Sequence, residues 1–134
     1  MSLFHKSIEA LFRAFGIRPF WKMQPVEINV AQSHELAAQG KALLVDVREV
    51  KEWHATGLPE HAHPIALSDP DMVATVSELS KENPGLPVLI SCLSGKRAFK
   101  AIDMLAQGGV SDLKLVTGGL QAWLAAGLPV VPHQ

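Results

Sequence analysis

The chain has 134 residues, enough for one domain with a short extension. It is 48% hydrophobic, and its 12 Lys and Arg nearly balance 13 Asp and Glu, so charge gives no footprint for nucleic acid or an acidic membrane surface. One cysteine excludes a disulfide framework and a cysteine-based zinc cluster, and fits a reducing compartment.

The opening residues Met1 to Glu9 lack the continuous apolar run of a secretory signal, and no stretch approaches the ~20 apolar residues of a membrane span. A cytoplasmic location is expected. Phe4, Ile8, Leu11, Phe12 and Phe15 recur at helical spacing, with Lys6, Glu9 and Arg13 between them. The pattern predicts an amphipathic helix stopped by Gly16 and Pro19. Its aromatic face could pack on its own domain, on a second copy in a homodimer, or on a membrane surface or partner. Residues 18–25 read as a linker with Phe20 and Trp21 as anchors. The division expected is therefore 1–21, helix and linker, and 22–134, the folded domain.

Residues 26–30 alternate as a short strand. Ser33 is expected to cap a small helix through Gln39, closed by Gly40. The apolar run 42–45 suits a parallel strand buried on both faces, and ends in Asp46-Val47-Arg48. A short helix over 49–55, an irregular path over 57–63 and a brief strand over 64–67 follow. Asp69-Pro70 signals a helix start, with Met72, Val73, Val76 and Leu79 as its apolar face and Asn83-Pro84-Gly85 as its end. A strand over 88–91 precedes a helix over 98–106 with Phe99, Ile102 and Leu105 inward. A strand over 113–116, a turn at Gly118-Gly119 and a helix carrying Leu120, Trp123 and Leu124 complete the pattern. Alternating strands and helices argue for an α/β layered fold with a mostly parallel sheet, whose sites form beyond the carboxyl ends of the strands.

Two such strand ends hold chemistry: Asp46 with Arg48, and Cys92-Leu93-Ser94-Gly95-Lys96-Arg97. A strand end, a few residues and a helix start make a curve whose N–H groups converge on one point, a nest for anions. Gly95 permits the required backbone, and Lys96 and Arg97 add positive charge. Helix N-termini and cations stabilise thiolate over thiol, so Cys92 is expected to be a reactive sulfur.

Four segments, in order, resemble the rhodanese-like sulfurtransferase family. They are Asp46-Val47-Arg48 with Glu49, Glu52 and Trp53; Cys92 to Arg97 as C-x-x-G-x-R; Val116-Thr117-Gly118-Gly119-Leu120-Gln121-Ala122-Trp123; and Gly127-Leu128-Pro129-Val130. The resemblance implies a three-layer fold with a central parallel sheet flanked by helices. It implies that Cys92 alternates between thiolate and persulfide, taking a sulfane sulfur from thiosulfate or a persulfide and passing it to a thiol or cyanide. Backbone N–H groups from Leu93, Ser94, Gly95, Lys96, Arg97 and Ala98 would hold the persulfide, and Asp46 and Arg48 would brace the loop. The implied partners are a small-molecule donor and a thiol acceptor, with no cofactor.

The chain departs from the family pattern Gly-His-Ile-x-Gly-Ala, where Leu58 replaces the histidine and His61 the second glycine. Ala98 stands where serine is common, leaving that position without a hydroxyl. His54, His61 and His63 lack a fourth ligand, so no metal site is expected. The alternatives are a non-catalytic interaction module and, further off, a phosphatase or oxyanion reductase. Phosphatase loops of the form Cys-x5-Arg leave more room for a tetrahedral phosphate than the spacing from Cys92 to Arg97.

Overall fold

The computed structural model describes residues 24–134. The expected helix over Phe4 to Phe15 and the anchors Phe20 and Trp21 lie outside them. In chain order the elements are β1 (Val26–Ile28), α1 (Val30–Ala38), β2 (Leu43–Asp46), α2 (Val50–Thr56), β3 (Leu58–Pro59), β4 (His63–Pro64), α3 (Met72–Glu82), β5 (Val88–Ser91), α4 (Lys96–Gln107), β6 (Leu113–Val116), α5 (Gly119–Ala125) and β7 (Val130–Val131).

The main sheet has the order β1-β6-β5-β2-β4 with every pairing parallel. β3 and β7 form a separate antiparallel pair. The central strands β2 and β5 are buried along their whole length, as their unbroken apolar runs require. Their side chains still alternate. Leu43, Val45, Val88 and Ile90 meet Met72 and Val76 of α3 and Ala98, Ala101 and Leu105 of α4. Leu44 and Leu89 share the opposite cluster with Val30 of α1 and Leu120 and Trp123 of α5. The result is the expected three-layer arrangement.

Several local details differ from the sequence reading. α1 starts four residues earlier than a Ser33 cap would have it. Asn29 is the cap, its Oδ1 accepting the Gln32 N–H at 2.8 Å, and buried Ser33 donates its hydroxyl to the Asn29 carbonyl. The segment 58–59, read as irregular, pairs with β7, and the strand expected over 64–67 is instead His63–Pro64. Phe99, expected inward, points outward at 46% exposure. On α4 the core-facing positions are taken by Ala98, Ala101 and Leu105. His61 adopts φ 70°, the left-handed conformation that explains why glycine would suit this position. Among the described residues no helix is long and apolar enough to cross a membrane.

Candidate active site

β2 and β5 are neighbours, with Asp46 level with Ser91. The chain therefore leaves both strands at one edge, and the Val47 N–H binds the Ser91 carbonyl at 2.9 Å. Cys92 follows β5 directly, and α4 begins at Lys96. So short a connection closes because Gly95 takes φ 127°, where a side chain would be strained. Its N–H turns back to Cys92 Sγ at 3.0 Å, and the Ala98 N–H, in the first turn of α4, reaches the same sulfur at 3.4 Å. These are among the N–H groups a helix leaves unpaired at its start. The sulfur thus sits at the positive end of a 12-residue helix. Cys92 is only 1% exposed, whereas Leu93, Ser94 and Lys96 form an exposed rim. A negatively charged sulfur is the species this geometry accommodates best.

The loop is held from its other side by α5. The N–H groups of Leu120 and Gln121 bind the carbonyls of Cys92 and Leu93 at 2.8 and 3.1 Å. That approach is possible only with glycine at 119. A Cβ there would stand 2.3 Å from the Cys92 carbonyl oxygen, and its φ of +54° is also disfavoured for side chains. Sequence reading placed a turn at Gly118-Gly119 without giving Gly119 this role. The available signal was the glycine pair immediately after a strand.

Asp46 and Arg48 form a buried pair, each side chain 1% exposed. Arg48 Nη2 donates to Asp46 Oδ2 at 2.8 Å and to the Gly57 carbonyl at 2.9 Å, while Nη1 donates to Thr56 Oγ1 at 2.9 Å. The Arg48 N–H also binds Asp46 Oδ1 at 2.9 Å. The pair therefore ties the end of β2 to the end of α2, and its bonds do not reach the Cys92 loop itself.

Arg97 makes a second pair, with Glu52 of α2. Its Nη1 and Nη2 meet Oε1 and Oε2 side by side, the latter at 2.9 Å. Hydrogen bonds from Arg97 hold the Glu52 carboxyl at about 2, well below the usual 4.5, against the opposing effect of burial. The Glu49 N–H and the charges of Arg97 and Arg48 act in the same direction. Arg97 is in turn held more firmly protonated, first by its bond to Glu52 and then by the charges of Glu52, Cys92 and Asp46. The expected pair of loop cations is thus one rim lysine without a carboxylate partner among the described residues and one arginine already engaged. In the sequence Glu52 stands out only as part of the Asp-Val-Arg segment. Nothing local announces that it will meet a residue 45 positions away.

His54, His61 and His63 do not gather at one point. His54 lies beside His133 with ring centroids 5.8 Å apart, His61 is 3.5 Å from Glu60, and His63 lies on β4, its imidazolium disfavoured by burial. Among the described residues no group of three His, Cys, Asp or Glu side chains is placed to hold a metal ion.

A sulfur cradled by backbone N–H groups at the carboxyl edge of a parallel sheet defines a class of α/β proteins with a cysteine-centred anion loop. The sequence matches the family described as Rhodanese-like domain over residues 29–126, and the chain belongs to it. A protein of Allochromatium vinosum named "Sulfurtransferase" is 34% identical over 105 residues, covering 74% of this chain and 87% of that one. An "Adenylyltransferase and sulfurtransferase" of Zea mays is 26% identical over 102 residues, covering 75% of this chain but 21% of its own length. The chain thus spans about a fifth of that larger relative. Among solved structures, a thiosulfate sulfurtransferase from Pseudomonas aeruginosa superposes with a TM-score of 0.70 at 19% identity, over 98% of this chain and 22% of that one. At that identity the likeness concerns the fold.

Proposed function

We propose that the protein is a sulfurtransferase that carries a sulfane sulfur on Cys92. The observation that supports this most directly is the pair of N–H groups, from Gly95 and Ala98, aimed at Sγ from the start of α4. A thiolate there attacks the outer sulfur of thiosulfate or of a persulfide. The sulfur–sulfur bond of the donor breaks, and sulfite or the donor thiolate leaves with the bonding electron pair. The Cys92 persulfide anion keeps its charge near the loop N–H groups of residues 93–98, which act as preorganised donors. An external thiolate, or cyanide, then attacks the terminal sulfur and restores the Cys92 thiolate. No electrons are gained or lost overall.

The chain has one cysteine, so the acceptor must come from another molecule. A reducing, cytoplasmic setting supplies such thiols. Lys96, on the exposed rim, would draw anionic donors to the loop. Asp46 and Arg48 would serve indirectly, by fixing the end of the helix that carries Glu52.

Intact-mass measurement after incubation with thiosulfate, and separately with an organic persulfide, tests the proposal. Wild type should gain one sulfur atom and release it to cyanide or thiol, and Cys92→Ser should gain none while melting normally. Loading retained in Cys92→Ser, or aryl phosphate hydrolysis faster than sulfur transfer, would overturn it.

A further inference from the structure

We infer that Glu52 sets the charge selectivity of the Cys92 site, by neutralising Arg97 and so favouring organic persulfides over a dianion such as thiosulfate. The donor part of this inference rests on the sulfurtransferase reading; the electrostatic part does not.

Arg97 follows the loop and lies close enough for its charge to act on Cys92. Both of its Nη groups are nonetheless turned to Glu52. The guanidinium donates nothing to the sulfur, which receives only backbone N–H groups among the described residues. The other charges at this edge also cancel or stand aside. Asp46 and Arg48 neutralise each other in the interior. The Glu49 carboxylate accepts the Ser68 hydroxyl at 2.8 Å and lines one hollow with the cation Lys100, so its charge has a counter-charge of its own. Lys96 is left as the loop's cation without a carboxylate partner among the described residues. An approaching donor therefore meets about one net positive charge rather than two. Because the Glu52 carboxyl is held at about 2, the pair stays ionised at neutral pH.

The chain also provides a clean way to remove this charge. Glu52 Oε1 accepts the Glu49 N–H at 3.2 Å, closing the start of α2. Glutamine performs that capping role as well as glutamate. Glu52→Gln thus deletes the negative charge and keeps the cap.

The probe is alkylation of Cys92 by iodoacetate, an anion, and by iodoacetamide, its neutral counterpart. Both attack the same thiolate, so the ratio of their rate constants removes thiolate population and leaves the field felt by one negative charge. In Glu52→Gln the iodoacetate-to-iodoacetamide ratio should rise about three- to tenfold at low ionic strength and return towards wild type in high salt. In Arg97→Gln, which leaves Glu52 unopposed, the ratio should fall below wild type. In sulfur loading, KM for thiosulfate should fall in Glu52→Gln relative to KM for an organic persulfide. A ratio that moves less than about twofold in both variants would overturn the inference, whatever the activity. If wild type loads sulfur from neither donor, the sulfurtransferase reading fails, and the alkylation ratio still decides the role of Glu52.

Discussion

Two arginine–carboxylate pairs stand at the same edge of the sheet and do different work. Asp46 and Arg48 lie two residues apart, are 1% exposed, and spend their hydrogen-bonding capacity on each other, on Thr56 and on the Gly57 carbonyl. Glu52 and Arg97 come from separate helices, and their side chains are 24% and 32% exposed. The first pair has replaced water completely and holds backbone in place. The second remains in partial contact with solvent close to the Cys92 loop, where, on the inference above, its charges act on what approaches. Identical side-chain chemistry becomes architecture when it is buried and tuning when it is not.

The largest effect should come from breaking the buried pair. Arg48→Met leaves the Asp46 carboxylate without its partner and the Gly57 carbonyl without its donor. Loss of one member of a buried pair costs about 3–5 kcal/mol. That is a large share of the ~5–15 kcal/mol that holds a domain together. Thermal melting by circular dichroism should show a severely destabilised protein. A variant that melts within about 1 kcal/mol of wild type would place this pair in the same weak class as exposed pairs.

Next comes the contact between α5 and the loop, which separates site geometry from site charge. Gly119→Ala forces a methyl group to within 2.3 Å of the Cys92 carbonyl unless the helix or the loop shifts. Overpacking of this kind costs about 1–3 kcal/mol. Because the shift moves the residue that bears the thiol, sulfur loading should fall at least tenfold, by the logic that small misplacements are expensive in catalysis. Loading at the wild-type rate in a destabilised protein would show that the loop keeps its shape without α5.

The contrast between the pairs also explains what could be read before folding. The strands 88–91 and 113–116 coincide with their expected ranges, because bounded apolar runs carry that information locally. The Cys92 loop was equally visible, since strand end, glycine and helix start are adjacent in the chain. Asp46 and Arg48 could be singled out for the same reason. Glu52 and Arg97 meet only after β2 and β5 have paired and brought α2 beside α4, and no local pattern encodes that approach. The outward turn of Phe99 has a similar origin. Helical spacing alone admits more than one apolar face, and in the fold Ala98 and Ala101, not the ring, take the core-facing positions. The strand expected over 26–30 includes Asn29, whereas β1 ends at Ile28 and Asn29 caps α1.

The smallest effect is the stability contributed by the exposed pair, and its pH dependence is the sharpest part of the comparison. At neutral pH a double-mutant cycle of Glu52→Gln and Arg97→Gln should give a coupling of about 0.2–1 kcal/mol, the range of pairs open to solvent. The folded Glu52 carboxyl titrates at about 2 against 4.5 ordinarily, so the unfolded chain takes up the proton first as acid is added. The contribution is therefore complete above about 4.5 and is lost as pH falls towards 2. Urea melts of wild type and Arg97→Gln should differ by this amount at about pH 7 and converge near about pH 2. A gap that persists at the acid end would mean that Arg97 stabilises the fold through contacts other than Glu52. Its charge would then not be the one Glu52 holds in check.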